Sequence, residues 1–305
     1  MTSKNELPMI RILDGIAYEG KPSPFFNVSA HELGHGHIEV SAVKRTEWRE
    51  LDWSPLAIQD YLDCVEALKN DPVAVAEKAA KASKVHANRA KTRVRRLCKS
   101  MGADALLTLT YRFCETDKLQ VQKDLKEFNR RMLRQLPDFK FVAVFEKQDR
   151  GAYHIHMATG GIPTHFMRSS PNAQTQKMHS WRVKSFDVIR AVWRGVVGSR
   201  QGNIDLARRK RHTSSSSAKI ASYISKYILK DFAEGEKNSN RYFAYGIAKI
   251  PAAVHLGFVA NAIQAVEVCY SVLGDRVVFG QHFSHFGDWF YLHGELLPES
   301  RKGRG

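Results

Sequence analysis

The sequence predicts an α+β fold, a sandwich built on a mostly antiparallel sheet with helices on one face. Three observations predict it. Leu106-Leu107-Thr108-Leu109-Thr110-Tyr111 is a short apolar run of strand length. Lys118 to Leu136 has the spacing of an amphipathic helix, with Thr116 or Asp117 placed to cap it and Pro137 just past its end. Phe141 to Phe145 and Tyr153 to Thr159 flank the turn Gln148-Asp149-Arg150-Gly151, which is the pattern of a hairpin.

The remaining elements follow in order. Residues 1–50 read as an irregular segment, broken by Gly20, Pro22, Pro24, Gly34 and Gly36. Residues 51–103 read as a basic helical segment, interrupted at Asp71-Pro72. Residues 104–250 form the α+β domain, with further helices over Ser185 to Val197 and Lys219 to Phe232. Between those helices lies a polar, basic loop containing Arg208-Arg209-Lys210-Arg211 and the serine run to Ser217. Residues 251–305 are a C-terminal extension, with a helix near His255 to Leu273, aromatic strands and a basic tail, Arg301-Lys302-Gly303-Arg304.

Forty-seven Lys and Arg face 31 Asp and Glu, a formal charge of +16. Such an excess favours a polyanionic partner through counterion release. Lys81 to Ser100 holds eight basic residues and no acid. This is either a solvated helix face or a phosphate-contacting one, and the lack of acidic partners favours the second. Cys64, Cys98, Cys114 and Cys269 form no CxxC pair, so reduced thiols are expected rather than a disulfide framework or a cysteine zinc site. No apolar stretch approaches the roughly 18 residues of a membrane span. The N-terminus lacks the apolar core of a secretory signal, so the expected location is the cytoplasm.

His154-Ile155-His156 lies in the third strand, where residues two apart share a face. Two imidazoles therefore converge while Ile155 points the other way. Alone, an HxH pair is more often two unrelated surface histidines than a metal site. Glu146 ends the preceding strand, and a hairpin of this length can bring its carboxylate beside them. The alternative is a solvated glutamate near Lys147 and Arg150. Two histidines and one carboxylate would leave coordination positions open for water and a phosphate oxygen. Downstream, Tyr223 and Tyr227 stand four apart on a helix, with Lys226 and Lys230 flanking that face. Tyrosine can form covalent intermediates. Taken alone, these tyrosines read as packing residues of an amphipathic helix.

The strand 106–111, the Glu146/His154-Ile155-His156 hairpin and the Tyr223-x-x-Lys226-Tyr227 helix resemble, in that order, the three motifs of HUH endonucleases. The paired tyrosines are similar to those of the gene A type initiators of small phages. The resemblance covers roughly residues 104–232. It implies a ferredoxin/RRM-like HUH palm and a rolling-circle replication initiator that nicks single-stranded origin DNA. It also implies a divalent ion, Mg²⁺ or Mn²⁺, held by Glu146, His154 and His156. Tyr223, Tyr227 and Lys226 would be the catalytic groups, leaving a 5′-phosphotyrosine and a free 3′-OH. Other readings are a relaxase or single-strand transposase of the same chemistry, or a non-catalytic DNA-binding module. No GxxxxGK[ST] motif is present, so a host helicase and polymerase are the expected partners.

His31-Glu32-Leu33-Gly34-His35 matches HExxH, the zinc-protease helix motif. Gly34 and Gly36 weaken a helix, and Ile38 and Ser41 stand where the extended motif needs glycine and histidine. A histidine-rich loop is the expected outcome.

Overall fold

The computed structural model describes residues 9–174, 176–208, 217–234 and 240–296. Its elements begin with β1 (Ile10–Leu13), β2 (Ile16–Gly34), β3 (His37–Leu51), α1 (Pro55–Asn70) and α2 (Pro72–Ser100). There follow β4 (Ala105–Tyr111), α3 (Lys118–Gln135), β5 (Lys140–Lys147), β6 (Tyr153–Gly160), β7 (His165–Pro171) and β8 (Met178–Lys184). Next come α4 (Ser185–Val197), β9 (Gly202–Arg208), α5 (Ser217–Glu234) and β10 (Tyr242–Tyr245). The chain closes with β11 (Val254–Val259), α6 (Ala262–Ser271), β12 (Val277–Phe283) and β13 (Trp289–Glu295). This is a mixed α+β chain whose strand pairs are antiparallel among the described residues. It divides into two compact units, residues 1–84 with 251–305, and residues 85–250.

The unit 85–250 is built on a five-stranded sheet in the order β10-β5-β6-β4-β9. One face carries Leu107, Leu109, Phe141, Phe145, Ile155 and Met157 against α3 and α4. In α3, Val121, Leu125, Phe128 and Met132 form one buried stripe, the i, i+4, i+7, i+11 pattern of a core-facing helix. The Asp117 carboxylate accepts the Leu119 amide at 2.8 Å to start that helix. The Leu136 amide closes it on the Met132 carbonyl. Each such side chain, fully buried, contributes about 1.5–3 kcal/mol.

Helices also cover the opposite face. Val142, Val144 and Ala158 pack there against Ile220, Ala221, Ile224 and Ile228 of α5 and against Val94, Leu97 and Cys98 of α2. The expectation of helices on one face is therefore corrected. The reason is in the strands, since Val142 to Phe145 is apolar on both pleat faces, which a sheet wetted on one side would not need.

The other unit corrects the irregular reading of residues 1–50. β2 and β3 form a long antiparallel hairpin. The residues read as breakers have specific places in it. Pro22 and Pro24 coincide with a register shift between Pro22 and Phe26, a bulge where ladder bonds are already interrupted. Gly34, His35 and Gly36, at φ 78°, 49° and 78°, make the turn. β13 pairs with β3 and β11 with β2, so the two ends of the sequence share one sheet. α6 covers it, packing Ala265, Cys269 and Leu273 on Val28, Val40, Ala42 and Leu292.

The helix expected near His255 to Leu273 begins only at Ala262, because Val254–Val259 pairs with β2 and Asn261 supplies the cap, accepting the Gln264 amide at 2.9 Å. The interruption at Asp71-Pro72 falls between α1 and α2 as expected. No helix among the described residues is long and apolar enough to cross a membrane. The basic run Arg209-Lys210-Arg211, Ser214 to Ser216 and the tail 301–304 lie outside the described residues.

Candidate metal and tyrosine site

The hairpin β5–β6 sets the site. Its register pairs Glu146 with His154 and Val144 with His156. Glu146, His154 and His156 thus share the sheet face covered by α5, while Ile155 is buried in the opposite core. One potential ligand atom from each of the three lies within 4.8 Å of the others. Among the described residues this is the group of three or more His, Cys, Asp or Glu side chains that could hold a metal.

His156 Nε2 donates to Glu146 Oε2 at 2.7 Å. A neutral imidazole that donates from Nε2 must accept at Nδ1, and there the Thr108 hydroxyl lies 3.2 Å away. Thr108 sits directly across from His156 on β4. A hydroxyl can donate or accept, so it satisfies His156 in either tautomer. The Gln148 amide donates to His154 Nδ1 at 3.1 Å and accepts from Arg150 Nε at 3.0 Å. Burial pushes both histidines below the ordinary imidazole range. For His154, the neighbouring His156 and Arg150 add to that effect and Glu146 opposes it. For His156, Glu146 opposes it. Both rings are therefore neutral near pH 7, the form that ligates metals.

α5 completes the site. Its apolar residues, Ile220, Ala221, Ile224 and Ile228, seat it on the sheet. That seating turns Tyr223 and Tyr227 toward the histidines. The Tyr227 ring stacks on His156, centroids 4.2 Å apart and 8° from parallel. Tyr223 meets the same imidazole edge-on at 6.2 Å. The Tyr227 hydroxyl donates to the Tyr223 oxygen at 2.7 Å. Burial raises the Tyr227 phenol above its ordinary range, reinforced by that hydrogen bond and by the Glu146 charge. Lys226 is exposed on the same helix. The Lys230 side chain lies outside the described residues.

Five of the six residues singled out from sequence, Glu146, His154, His156, Tyr223 and Tyr227, thus meet in one place. Thr108 and Gln148 were missed. Thr108 was legible only through strand register, since it stands in an unremarkable apolar run. The HExxH residues do not assemble. His31 and Glu32 lie on β2 and His35 in the turn, Glu32 pairs with Arg276 at 3.0 Å, and His31 Nδ1 lies 3.3 Å from the Pro251 carbonyl. The motif occupies a strand end and a turn rather than the expected loop.

Residues 104–232 match the family model described as Replication-associated protein ORF2/gene 2 protein. No curated protein and no solved structure shows a significant match to the chain.

Proposed function

We propose, on the premise that residues 104–232 match this replication-associated protein family, a family of rolling-circle replication initiators, that this protein nicks single-stranded origin DNA by tyrosine attack. The observation that carries the reading is the double role of His156. One imidazole is bonded to Glu146 and stacked on Tyr227, so a cluster able to hold a metal and a pair of phenols adjoin each other.

Glu146, His154 and His156 would hold the divalent ion. The mixed oxygen and imidazole donor set suits Mn²⁺ or Mg²⁺, the imidazoles favouring the softer Mn²⁺. When bound, the ion supplies Lewis-acid stabilisation of charge developing on a scissile phosphate. Thr108 and Gln148 orient the two imidazoles. A tyrosine oxygen forms a bond to phosphorus as the bond from phosphorus to the 3′ oxygen breaks. The phenolic proton leaves to solvent or a nearby base, and the 3′ oxygen takes up a proton. The products are a 5′-phosphotyrosine and a free 3′-OH able to prime synthesis. One phosphodiester replaces another, so the step is reversible and the strand can be rejoined. Lys226 supplies a cation on the helix that carries the nucleophile.

Charge distribution supports the same partner. Residues 85–250 hold 33 of the 47 Lys and Arg but 13 of the 31 Asp and Glu, so the positive excess belongs to the unit that carries the site.

The test is incubation with Mn²⁺ and single-stranded DNA of the replicon that encodes the protein. A denaturation-resistant protein–DNA adduct is expected, and it should be absent from Tyr223→Phe/Tyr227→Phe. Cleavage that persists in that double variant, or no adduct with the intact protein, would overturn the reading.

A further inference from the structure

β7 and β8 form a two-stranded hairpin of their own, paired from His165–Lys184 to Pro171–Met178. An isolated hairpin of this size is marginal in water. This one is fixed at its root, where Phe166 is buried, the Ser185 amide donates to the Thr164 carbonyl at 3.1 Å, and the Ser185 hydroxyl donates to the Pro163 carbonyl. Beyond the root the strands are mostly exposed.

One face of the hairpin is unlike an ordinary solvated surface. Register places Phe166 opposite Val183, Arg168 opposite Trp181, and Ser170 opposite His179, all on one side. Trp181 is 41% exposed, and His179 stacks on it at 5.8 Å and 17°. At the base of that face lies a groove of about 480 Å³ lined by Arg131, Arg134, Gln135, Arg168, Val183 and Asp187, among others. Arg131 is paired with Glu127 at 2.6 Å and Asp187 with Arg190 at 3.1 Å. The Arg168 guanidinium donates to the neutral Gln135 side chain. Arg134 is exposed. Among the described residues no carboxylate pairs with Arg134 or Arg168. Gly195 belongs to this surface as well, since a Cβ there would meet the Arg131 guanidinium at 2.8 Å.

A groove carrying unneutralised guanidinium groups, continued by exposed stacked rings, matches the two demands of a single strand. Phosphates require cations, and unpaired bases require flat faces. Duplex DNA offers the phosphates but keeps its bases stacked inside. We propose that the β7–β8 hairpin and the α3/α4 groove form a second binding site for single-stranded nucleic acid. The site lies on the face of the five-stranded sheet opposite Glu146, His154 and His156, and it works without metal or tyrosine chemistry.

The experiment uses the full chain with chelator present, a fluorescent oligothymidylate of about 30 nucleotides, and anisotropy across a salt series. Trp181→Ala should weaken binding on the order of tenfold, and Trp181→Phe should retain it. Arg134→Ala/Arg168→Ala should lower the salt slope by about 1.4 units, the single-strand increment of about 0.7 per phosphate contact. Photocrosslinking with an iododeoxyuridine oligonucleotide should mark Trp181 or His179. Unchanged affinity in both variants with no crosslink on the hairpin would overturn the proposal. Equal losses for duplex and single-stranded DNA in Trp181→Ala would also overturn it, because stacking would then have no part. If Trp181→Ala fails to fold, the arginine variant and the crosslink decide.

Discussion

The Tyr227 ring lies flat against the His156 imidazole, and its hydroxyl donates its proton to Tyr223. The two phenols are therefore not equivalent. Tyr223 is 39% exposed, and its oxygen accepts the proton of its neighbour. Tyr227 is half-buried, with its proton engaged. Four helical residues advance about 6 Å, too far for both oxygens to reach one phosphorus in a single pose. Tyr223 is expected to make the first nick and Tyr227 a second transfer. Tyr223→Phe should remove most initial adduct while preserving DNA binding. Tandem mass spectrometry of trapped adduct locates the bond, and phosphotyrosine mainly on Tyr227 would reverse the order.

Calorimetric titration tests the metal assignment. Mn²⁺ should bind the intact protein more tightly than Mg²⁺ and should lose its site in His154→Ala/His156→Ala. Thr108→Val keeps the shape of the side chain but removes the hydroxyl facing His156. An affinity loss of about 10–100-fold is expected, the usual effect of removing a partner of a ligating histidine. Equal affinity in all three proteins would refute both the site and the role of Thr108.

Arg200 joins a buried network in the unit 85–250. It donates to Asp124 at 2.6 and 2.8 Å and to Glu115 at 3.0 Å, while the Tyr111 hydroxyl donates to Asp124 at 2.8 Å. Asp124 is only 4% exposed. Arg200→Ala would leave a buried carboxylate without its cation. A loss of about 2–3 kcal/mol is expected, below the range for a fully buried pair because the Arg200 side chain keeps 31% of its surface exposed. Tyr111→Phe should cost about 1 kcal/mol. Urea denaturation measures both, and a loss under 0.5 kcal/mol in Arg200→Ala (roughly the scatter of surface substitutions) would contradict the network's weight.

Thiol labelling distinguishes the four cysteines. Cys64 and Cys114 are exposed, and Cys98 and Cys269 are buried. Burial pushes the Cys98 thiol up to about 12 and the Cys269 thiol up to about 11. Since the thiolate is the reactive form, both should resist iodoacetamide at pH 8 until the protein unfolds. Rapid native labelling of Cys98 would mean that the packing of α2 on the sheet opens readily.

The basic run of α2 is expected to contribute phosphate contacts only in part. Lys99 is buried in this run, and Arg208, grouped with it from sequence, donates to the Ile162 and Pro163 carbonyls. Arg89 and Arg93 are exposed, and Lys91 is half-buried. Replacing these three by Gln should lower the single-strand salt slope by about two units. An unchanged slope would make this an ordinary solvated face.

What was legible in the sequence depended on where period and chemistry coincided. His154 and His156 flank Ile155, so one strand period places two ligands on one face and an apolar anchor on the other. α3 announced itself by its stripe from Val121 to Met132 and its Asp117 cap. The β2–β3 hairpin was hidden because Pro22 and Pro24 mark a bulge, and a bulge and a loop use the same residues. β7 and β8 carry few apolar residues and face water along most of their length, so no hydrophobic alternation identified them. Thr108 could not be found without knowing which strand lies beside β6. That adjacency is a tertiary fact, decided by the packing of α3, α4 and α5 on the two faces.

The pairing of β3 with β13 also sets an order of events during synthesis. Val43 meets Trp289, partners roughly 250 residues apart along the chain, so this ladder carries one of the longest closures the protein makes. The unit 85–250 requires nothing beyond Ile250 for its own sheet. At about 5–20 residues per second, the ribosome finishes it several seconds before β13 emerges. During that interval β2 and β3 have a long apolar face and no α6 to cover it. A chaperone that engages nascent chains would therefore find its target in residues 16–51 rather than in residues 85–250. Chains stalled after residue 250 should aggregate through that hairpin while the unit that carries Glu146 and the two tyrosines is already folded.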